Sequence, residues 1–283
     1  MVALDMNGAS DNGGSAGPPR ARPTPSGGSA VRKATCVGAS TSWPYPLWIA
    51  HRGAGKLAPE NTLAAFQLGA SHGYRMFECD VKLSRDDVLF LLHDAMLDRT
   101  SNGRGDARAM LWEDLSKLDA GSWHSPNYAG EPLASLEIVA RYCLDNNFFL
   151  NIEIKPTPGL EAETGTAVAN AAALLWREAA VPPLLTSFAI AALQAAQRAQ
   201  PQQPRGLLLD KLTPGWLDIA LELGCVAVNC KYTLWNETTV TQARSAGLRT
   251  LSYTVNDESS ADKLLSLGID SLITDRVDFF KPD

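Results

Sequence analysis

Glu78 and Asp80 stand two residues apart in the stretch MFECDVKLS, which has the apolar character of a buried strand. Side chains at i and i+2 of a strand share a face, so this spacing sets two carboxylates side by side. Burying like charges together is costly unless a charge of opposite sign lies between them. The same spacing recurs in FFLNIEIKP, where Glu153 and Lys155 share a face. Three carboxylates converging from two strands make an oxygen-rich nest for one hard divalent cation, Mg2+ or Ca2+, with Mn2+ as a third option. Zinc fits less well, because no histidine pair has its ligand spacing.

Two imidazoles and two further cations stand at comparable places. His51-Arg52 closes the apolar run LWIAHRG, and His93-Asp94 closes VLFLLHD. Arg52 and Lys155 bring positive charge next to the acidic nest, which suits an anionic group such as phosphate. His51 and His93 are the residue type that exchanges protons near neutrality, one accepting while the other donates. Structural readings compete with each assignment: a backbone-bonded histidine, a Glu153–Lys155 ion pair, or Glu78 and Asp80 held by Lys82 and Lys155. Their joint occurrence at strand ends favours chemistry, and the set as a whole suits metal-assisted cleavage of a phosphodiester.

Elements must bring these groups together. From residue 47 onward short apolar strands alternate with amphipathic helices, the pattern of a parallel sheet. Strands are expected at 47–53, 76–84, 88–94 and 148–156 and in LLTSF, RGLLLD, CVAVNCKY, LRTLSYTVN and IDSLITDR. Seven or eight strand–helix units in roughly 235 residues predict an α/β TIM (β/α)8 barrel, whose catalytic residues gather at the C-terminal ends of the strands. A doubly wound sheet would place a GxGxxG turn after the first strand, and HRGAGKLAPEN lacks that spacing. Residues 95–134 break the rhythm directly after His93, and a connection this long is expected to be a small functional insertion.

Composition sets the outer bounds. The chain has 283 residues, a formal net charge of -6 and a pI near 5.3, which argues against a broad nucleic-acid face. No apolar run reaches the ~20 residues that span a bilayer. Five cysteines without a CxxC pair fit a reducing, cytoplasmic setting. Residues 1–42, rich in Gly, Ser, Pro and Ala, read as a disordered N-terminal tail before a barrel domain at 43–283. The oligomeric state stays open, a homodimer being one option.

The ordered motifs AHRGAGKLAPENTLAAF, FECDVKLSRDDVLFLLHD, LDRTSNGRG, NIEIKP and SYTVN together resemble the glycerophosphodiester phosphodiesterase family. The likeness runs from about residue 43 to the C terminus. SWPYP, DAGSW and PRGLLLD bring the chain nearest to the family's short cytoplasmic bacterial form, the enzyme of glycerol 3-phosphate uptake. The resemblance implies a TIM barrel that hydrolyses small glycerophosphodiesters, such as glycerophosphocholine or glycerophosphoethanolamine, to an alcohol and sn-glycerol 3-phosphate in glycerophospholipid degradation. It implies catalytic roles for His51 and His93, metal ligation by Glu78, Asp80 and Glu153, and phosphate binding by Arg52 and Lys155. It also implies attack by the substrate's own glycerol hydroxyl through a cyclic phosphate, with water attack as the competitor, and a pocket shaped by the insertion. One departure stands out: many members carry Trp where this chain has Tyr253, which keeps an aromatic platform for the glycerol moiety but adds a hydroxyl.

Smaller features have plainer readings. Asn61 in PENT is a plausible helix cap, and Glu60 divides evenly between that helix start and support of the ligands. His72 and His124 read as structural or exposed, and Trp112 and Trp123 as packing within the insertion. Cys79 lies between the two carboxylates, and alternation turns it outward toward the helices.

Overall fold

The computed structural model describes residues 43–282. The expected tail at 1–42 lies outside the described residues. The elements follow in chain order as β1 (Trp48–Ala50), α1 (Leu63–Ser71), β2 (Met76–Leu83), β3 (Leu89–Leu91), α2 (Trp112–Leu115), α3 (Leu136–Asp145), β4 (Phe149–Ile154), α4 (Glu161–Leu175) and β5 (Leu184–Ser187). They continue as α5 (Ile190–Ala199), β6 (Arg205–Leu209), α6 (Trp216–Glu222), β7 (Ala227–Lys231), α7 (Glu237–Ser245), β8 (Arg249–Tyr253), α8 (Glu258–Ser266) and β9 (Ser271–Thr274). Neighbouring strands pair in parallel from β2 through β4 and on to β9, and β1 pairs with both β9 and β2. The sheet therefore closes into an eight-stranded parallel barrel, the predicted TIM architecture, with no free edge in the ring.

Alternation along the strands sorts the side chains. On β2, Phe77, Cys79 and Val81 pack outward against the helices, as expected for Cys79. Met76 points inward and meets Ile49, Leu184, Ala227, Leu251 and Ile273 in a second, smaller core that includes Tyr45. Above that apolar layer the inward positions of β2 and β4 turn polar. Glu78 lies beside Asn151, and Asp80 beside Glu153. The barrel is thus filled with hydrocarbon at one end and with functional groups at the strand C-termini.

The segment 88–94 is not a barrel strand. β3 runs antiparallel to β2, with Val81 beside Leu91 and Leu83 beside Leu89. The connection from Ser84 to Val88 is too short for a parallel crossover, which needs a dozen or so residues. Asp87 takes the left-handed conformation the reversal needs (φ 61). β2 overshoots the rim, turns, and β3 carries His93 back down to the mouth, where Leu92 N–H donates to the Asp80 carbonyl (3.0 Å). The insertion that follows has its own small core of Phe90, Leu92, Leu97, Ala107, Leu115, Ala120 and Leu133.

One glycine interlocks the first loop with the last strand. Gly55 has φ +58, and a Cβ there would overlap the backbone carbonyl of Asp275. Gly55→Ala should therefore lower stability by more than about 1 kcal/mol, because the backbone can neither relax nor move apart. Urea unfolding checks this, and an unchanged midpoint would show that the loop has room to give.

Candidate active site

The three carboxylates converge. One oxygen each from Glu78, Asp80 and Glu153 lie within 4.8 Å of one another. The residues are only 3%, 1% and 9% exposed, so their charges are scarcely screened by water. Burial, then the charges of Asp80 and Glu153, push Glu78 well above the usual carboxylate range. Burial and Asp80 push Glu153 up to about 7. Against its own burial, Asp80 is held below that range by Arg52 and Lys155. Such an arrangement wants more positive charge than it has. When all three carboxyls are ionised, they outnumber the two cations beside them, Arg52 and Lys155, by one negative charge. A dication would turn that into one positive charge, the complement of a phosphodiester monoanion. The all-oxygen donor set fits a hard ion of the Mg2+, Ca2+ or Mn2+ kind.

Backbone geometry orients the nest. Arg52 and Asn61 are both non-glycine residues in the left-handed region, at φ 49 and 62. Such conformations cost energy and persist where surrounding contacts enforce them. Here Arg52 N–H donates to Glu78 Oε2 (3.0 Å) while its side chain meets Glu60 (2.8 Å) and Asp80 (3.2 Å). Asn61 Nδ2 donates to Asp80 Oδ2 (2.8 Å), and Asn61 Oδ1 accepts the Asp80 N–H (3.1 Å). The expected helix cap at Asn61 is therefore wrong. Thr62 caps α1, its hydroxyl accepting from Ala65 N–H, and Asn61 is a clamp on Asp80. Lys155 Nζ donates to Glu153 (2.8 Å) and lies 3.4 Å from Asp80.

Both candidate histidines are anchored through Nδ1. His51 Nδ1 meets Asp275 Oδ1 at 2.6 Å, and Asn256 Nδ2 donates to the other Asp275 oxygen (2.8 Å). His51 Nε2 then lies 3.8 Å from Glu78 Oε2, on the cavity side. His93 Nδ1 meets Asp94 Oδ1 at 2.6 Å. Arg99 donates from Nε to Asp94 (2.6 Å) and with both terminal nitrogens to Glu60 (2.8 Å each). One chain of contacts thus ties His93 through Asp94, Arg99 and Glu60 to Arg52. Glu60 supports the site; it is not part of a helix start. Hydrogen bonding to Arg99 holds Asp94 down to about 2. Asp275 is also held down to about 2, its burial outweighed by the bond to His51. Carboxylates this acidic stay ionised and fix the imidazole proton on Nδ1, leaving Nε2 to work.

A cavity of about 180 Å3 opens at the mouth, and His51, Arg52, Glu78, His93, Glu153, Lys155 and Tyr253 all line it. Asp80 sits at the back of this group, gripped by Arg52, Asn61 and Lys155. Tyr253 packs edge-on against Phe188, and its hydroxyl donates to the Leu209 carbonyl (3.0 Å). The added hydroxyl is thus spent on the backbone, and the ring forms the wall. Asn229 and Asn151 also line the cavity. Both amide atoms of Asn229 and the Asn151 Nδ2 are buried without a protein partner. Buried polar atoms of this kind call for a ligand or water. Asp275, Asn256, Arg99, Asn151 and Asn229 went unassigned in the sequence. Asp275 and Asn256 carried a usable signal, since they sit at the ends of the predicted strands IDSLITDR and LRTLSYTVN.

Comparisons with known proteins agree with the fold and give the family. Residues 51–279 match the Glycerophosphoryl diester phosphodiesterase family model. A glycerophosphodiester phosphodiesterase of Caldanaerobacter subterraneus is 31% identical over 234 residues, covering 81% of this chain and 93% of its own. One from Bacillus subtilis is 30% identical over 248 residues, covering 83% and 85%. The structure of an Oleispira antarctica phosphodiesterase in complex with the product sn-glycerol-3-phosphate superposes with a TM-score of 0.76 at 33% identity, covering 82% of this chain and 93% of that one. No helix among the described residues is long and apolar enough to cross a membrane. An eight-stranded barrel with an acidic nest and two carboxylate-anchored imidazoles at one mouth, matched by family over most of its length, makes this chain a member of the glycerophosphoryl diester phosphodiesterase family, a hydrolase of phosphodiesters.

Proposed function

We propose that this protein hydrolyses water-soluble glycerophosphodiesters, such as glycerophosphocholine, to an alcohol and sn-glycerol 3-phosphate, with one divalent ion and the His51/His93 pair. The observation that carries this reading is that both imidazoles, each fixed through Nδ1 by an ionised carboxylate, face the same cavity as the acidic nest. Arg52 and Lys155 would hold the phosphate oxygens by charge. Glu78, Asp80 and Glu153 would hold the ion, which supplies Lewis-acid stabilisation of the charge that develops on phosphorus-bound oxygen. One neutral imidazole takes at Nε2 the proton of the attacking hydroxyl, and the other, entering as the imidazolium, gives its Nε2 proton to the departing alcohol oxygen. Where the attacker is the glycerol hydroxyl, water then opens the cyclic phosphate with the two roles exchanged. The buried amides of Asn151 and Asn229 and the ring of Tyr253 supply polar and flat surfaces for the glycerol moiety. The product held by the Oleispira antarctica relative supports that substrate end. The catalytic domain is inferred to span 43–283, with 95–134 as its insertion. A cytoplasmic site of action is supported by the four described cysteines, all buried and unpaired.

The test is a substrate panel. Purified protein should release sn-glycerol 3-phosphate from glycerophosphocholine and glycerophosphoethanolamine, with lysophospholipids turned over poorly if at all. Preference for the lysolipids would move the reading to a lipid phosphodiesterase.

A further inference from the structure

A second cavity adjoins the first on the far side of His93 and Lys155. It is bounded by the β2–β3 hairpin, the β4–α4 loop and the β5–α5 loop, and Lys82, Glu161 and Phe188 line it. His93 borders both cavities, whereas His51 borders only the first. A phosphodiester held at Lys155 with its glycerol toward Asn229 would have this second space beside its other ester arm. Lys82 is the unusual residue there. It is 4% exposed, yet its ammonium has one hydrogen-bond partner, the Lys155 carbonyl at 3.1 Å. Among the described residues no carboxylate lies within ion-pair distance of it. Lysine is rarely this buried without a paired charge, and an ammonium carries three donors. Glu153 and Asp80 are already engaged by Lys155. Glu161, of the opposite charge, accepts the Gly159 N–H (3.1 Å) and, among the described residues, makes no ion pair.

Resting on the phosphodiesterase reading above, we infer that this cavity is a head-group subsite for a leaving alcohol that carries both an anionic and an ammonium group, with Lys82 as the partner of the anion and Glu161 as the partner of the ammonium. Serine is the simplest such alcohol.

The experiment compares glycerophosphoserine with glycerophosphocholine by release of sn-glycerol 3-phosphate from wild type, Lys82→Met and Lys82→Arg. A charge-assisted contact made by one substrate alone predicts a wild-type kcat/KM ratio of about tenfold or more in favour of the serine ester. That ratio should fall about tenfold in Lys82→Met and be largely kept in Lys82→Arg. An equal or inverted ratio in the wild type, or the same ratio in Lys82→Met, overturns the subsite. The wild-type comparison decides the matter even if Lys82→Met does not fold. Turnover of both esters without preference sinks this inference alone, while no turnover of either sinks the phosphodiesterase reading with it.

Discussion

The metal-free protein is expected to lose stability as pH rises from about 4.5 to about 7, and a divalent ion should reverse that trend and restore turnover. The sign follows from Glu153. Its carboxyl moves from the ordinary 4.5 up to about 7 through burial and the nearby Asp80 charge. The folded state therefore keeps a proton that the unfolded chain has already released, so its stabilisation is complete below 4.5 and is lost as pH climbs through 7. The scale is about 1.4 kcal/mol for each pH unit in that window. Glu78 is shifted in the same direction. Asp94 and Asp275 act with the opposite sign, but both are held down to about 2, so their contribution disappears only in acid, below the window, whereas His93, held below its ordinary value by burial, offsets part of the Glu153 trend within it. A dication competes with the protons for the same oxygens, so its stabilising effect grows with pH. At a hundred times its dissociation constant it adds about 2.7 kcal/mol. Activity should fall by about 10³-fold or more in excess chelator, since the ion offsets several kcal/mol of developing charge. Calorimetric Tm across this pH range, with chelator and with Mg2+ or Ca2+, reads the stability half. A metal-free Tm that is flat or rises with pH would show that the carboxylates do not repel one another.

How much of this was visible beforehand depends on sequence distance. The nest was legible because Glu78 and Asp80, and Glu153 and Lys155, obey a two-residue period within single strands. His51 was legible because it ends the first strand. The sequence signal at His93 is partly misleading. Its segment looked like another barrel strand, whereas the short Arg85-Asp86-Asp87 link dictates a hairpin that returns it to the mouth. The supporting groups were hidden for a physical reason. His51 and Asp275 are 224 residues apart, and only barrel closure between β1 and β9 brings them together. Arg99 reaches Glu60 across 39 residues from an insertion with no periodic pattern. Asn61 misled in the other direction. A local capping rule suited its neighbourhood, but the left-handed turn aims its amide at Asp80 and leaves the cap to Thr62. Local periodicity thus located the candidate catalytic and ligating groups, and tertiary closure chose the groups that orient them.

His51→Ala and His93→Ala should each lower kcat by about 10²- to 10⁴-fold, the range for lost acid–base catalysis. Asp275→Asn should be nearly as damaging, for a reason particular to its neighbours. Asn256 Oδ1 accepts the Asp275 N–H (2.9 Å), which pins Asn256 Nδ2 as the donor toward Asp275 Oδ2. An amide placed at 275 must then turn its carbonyl to Asn256 and its NH2 to His51. Facing a donor, His51 Nδ1 becomes an acceptor, and the proton moves to Nε2, the nitrogen that has to be free to take one. A wrong tautomer of this kind costs about 10⁴-fold in a serine protease triad, and about 10³- to 10⁴-fold is expected here. Adding Asn256→Asp to Asp275→Asn supplies an acceptor for the new NH2, lets the amide carbonyl face His51 again, and should recover about tenfold or more of the lost kcat. Nitrogen chemical shifts of His51 should report the Nε2–H tautomer in the single variant and the Nδ1–H tautomer in the wild type and the pair. Full turnover in Asp275→Asn, or a double variant no faster than the single with the tautomer unmoved, would show that Asp275 does not set the proton on His51.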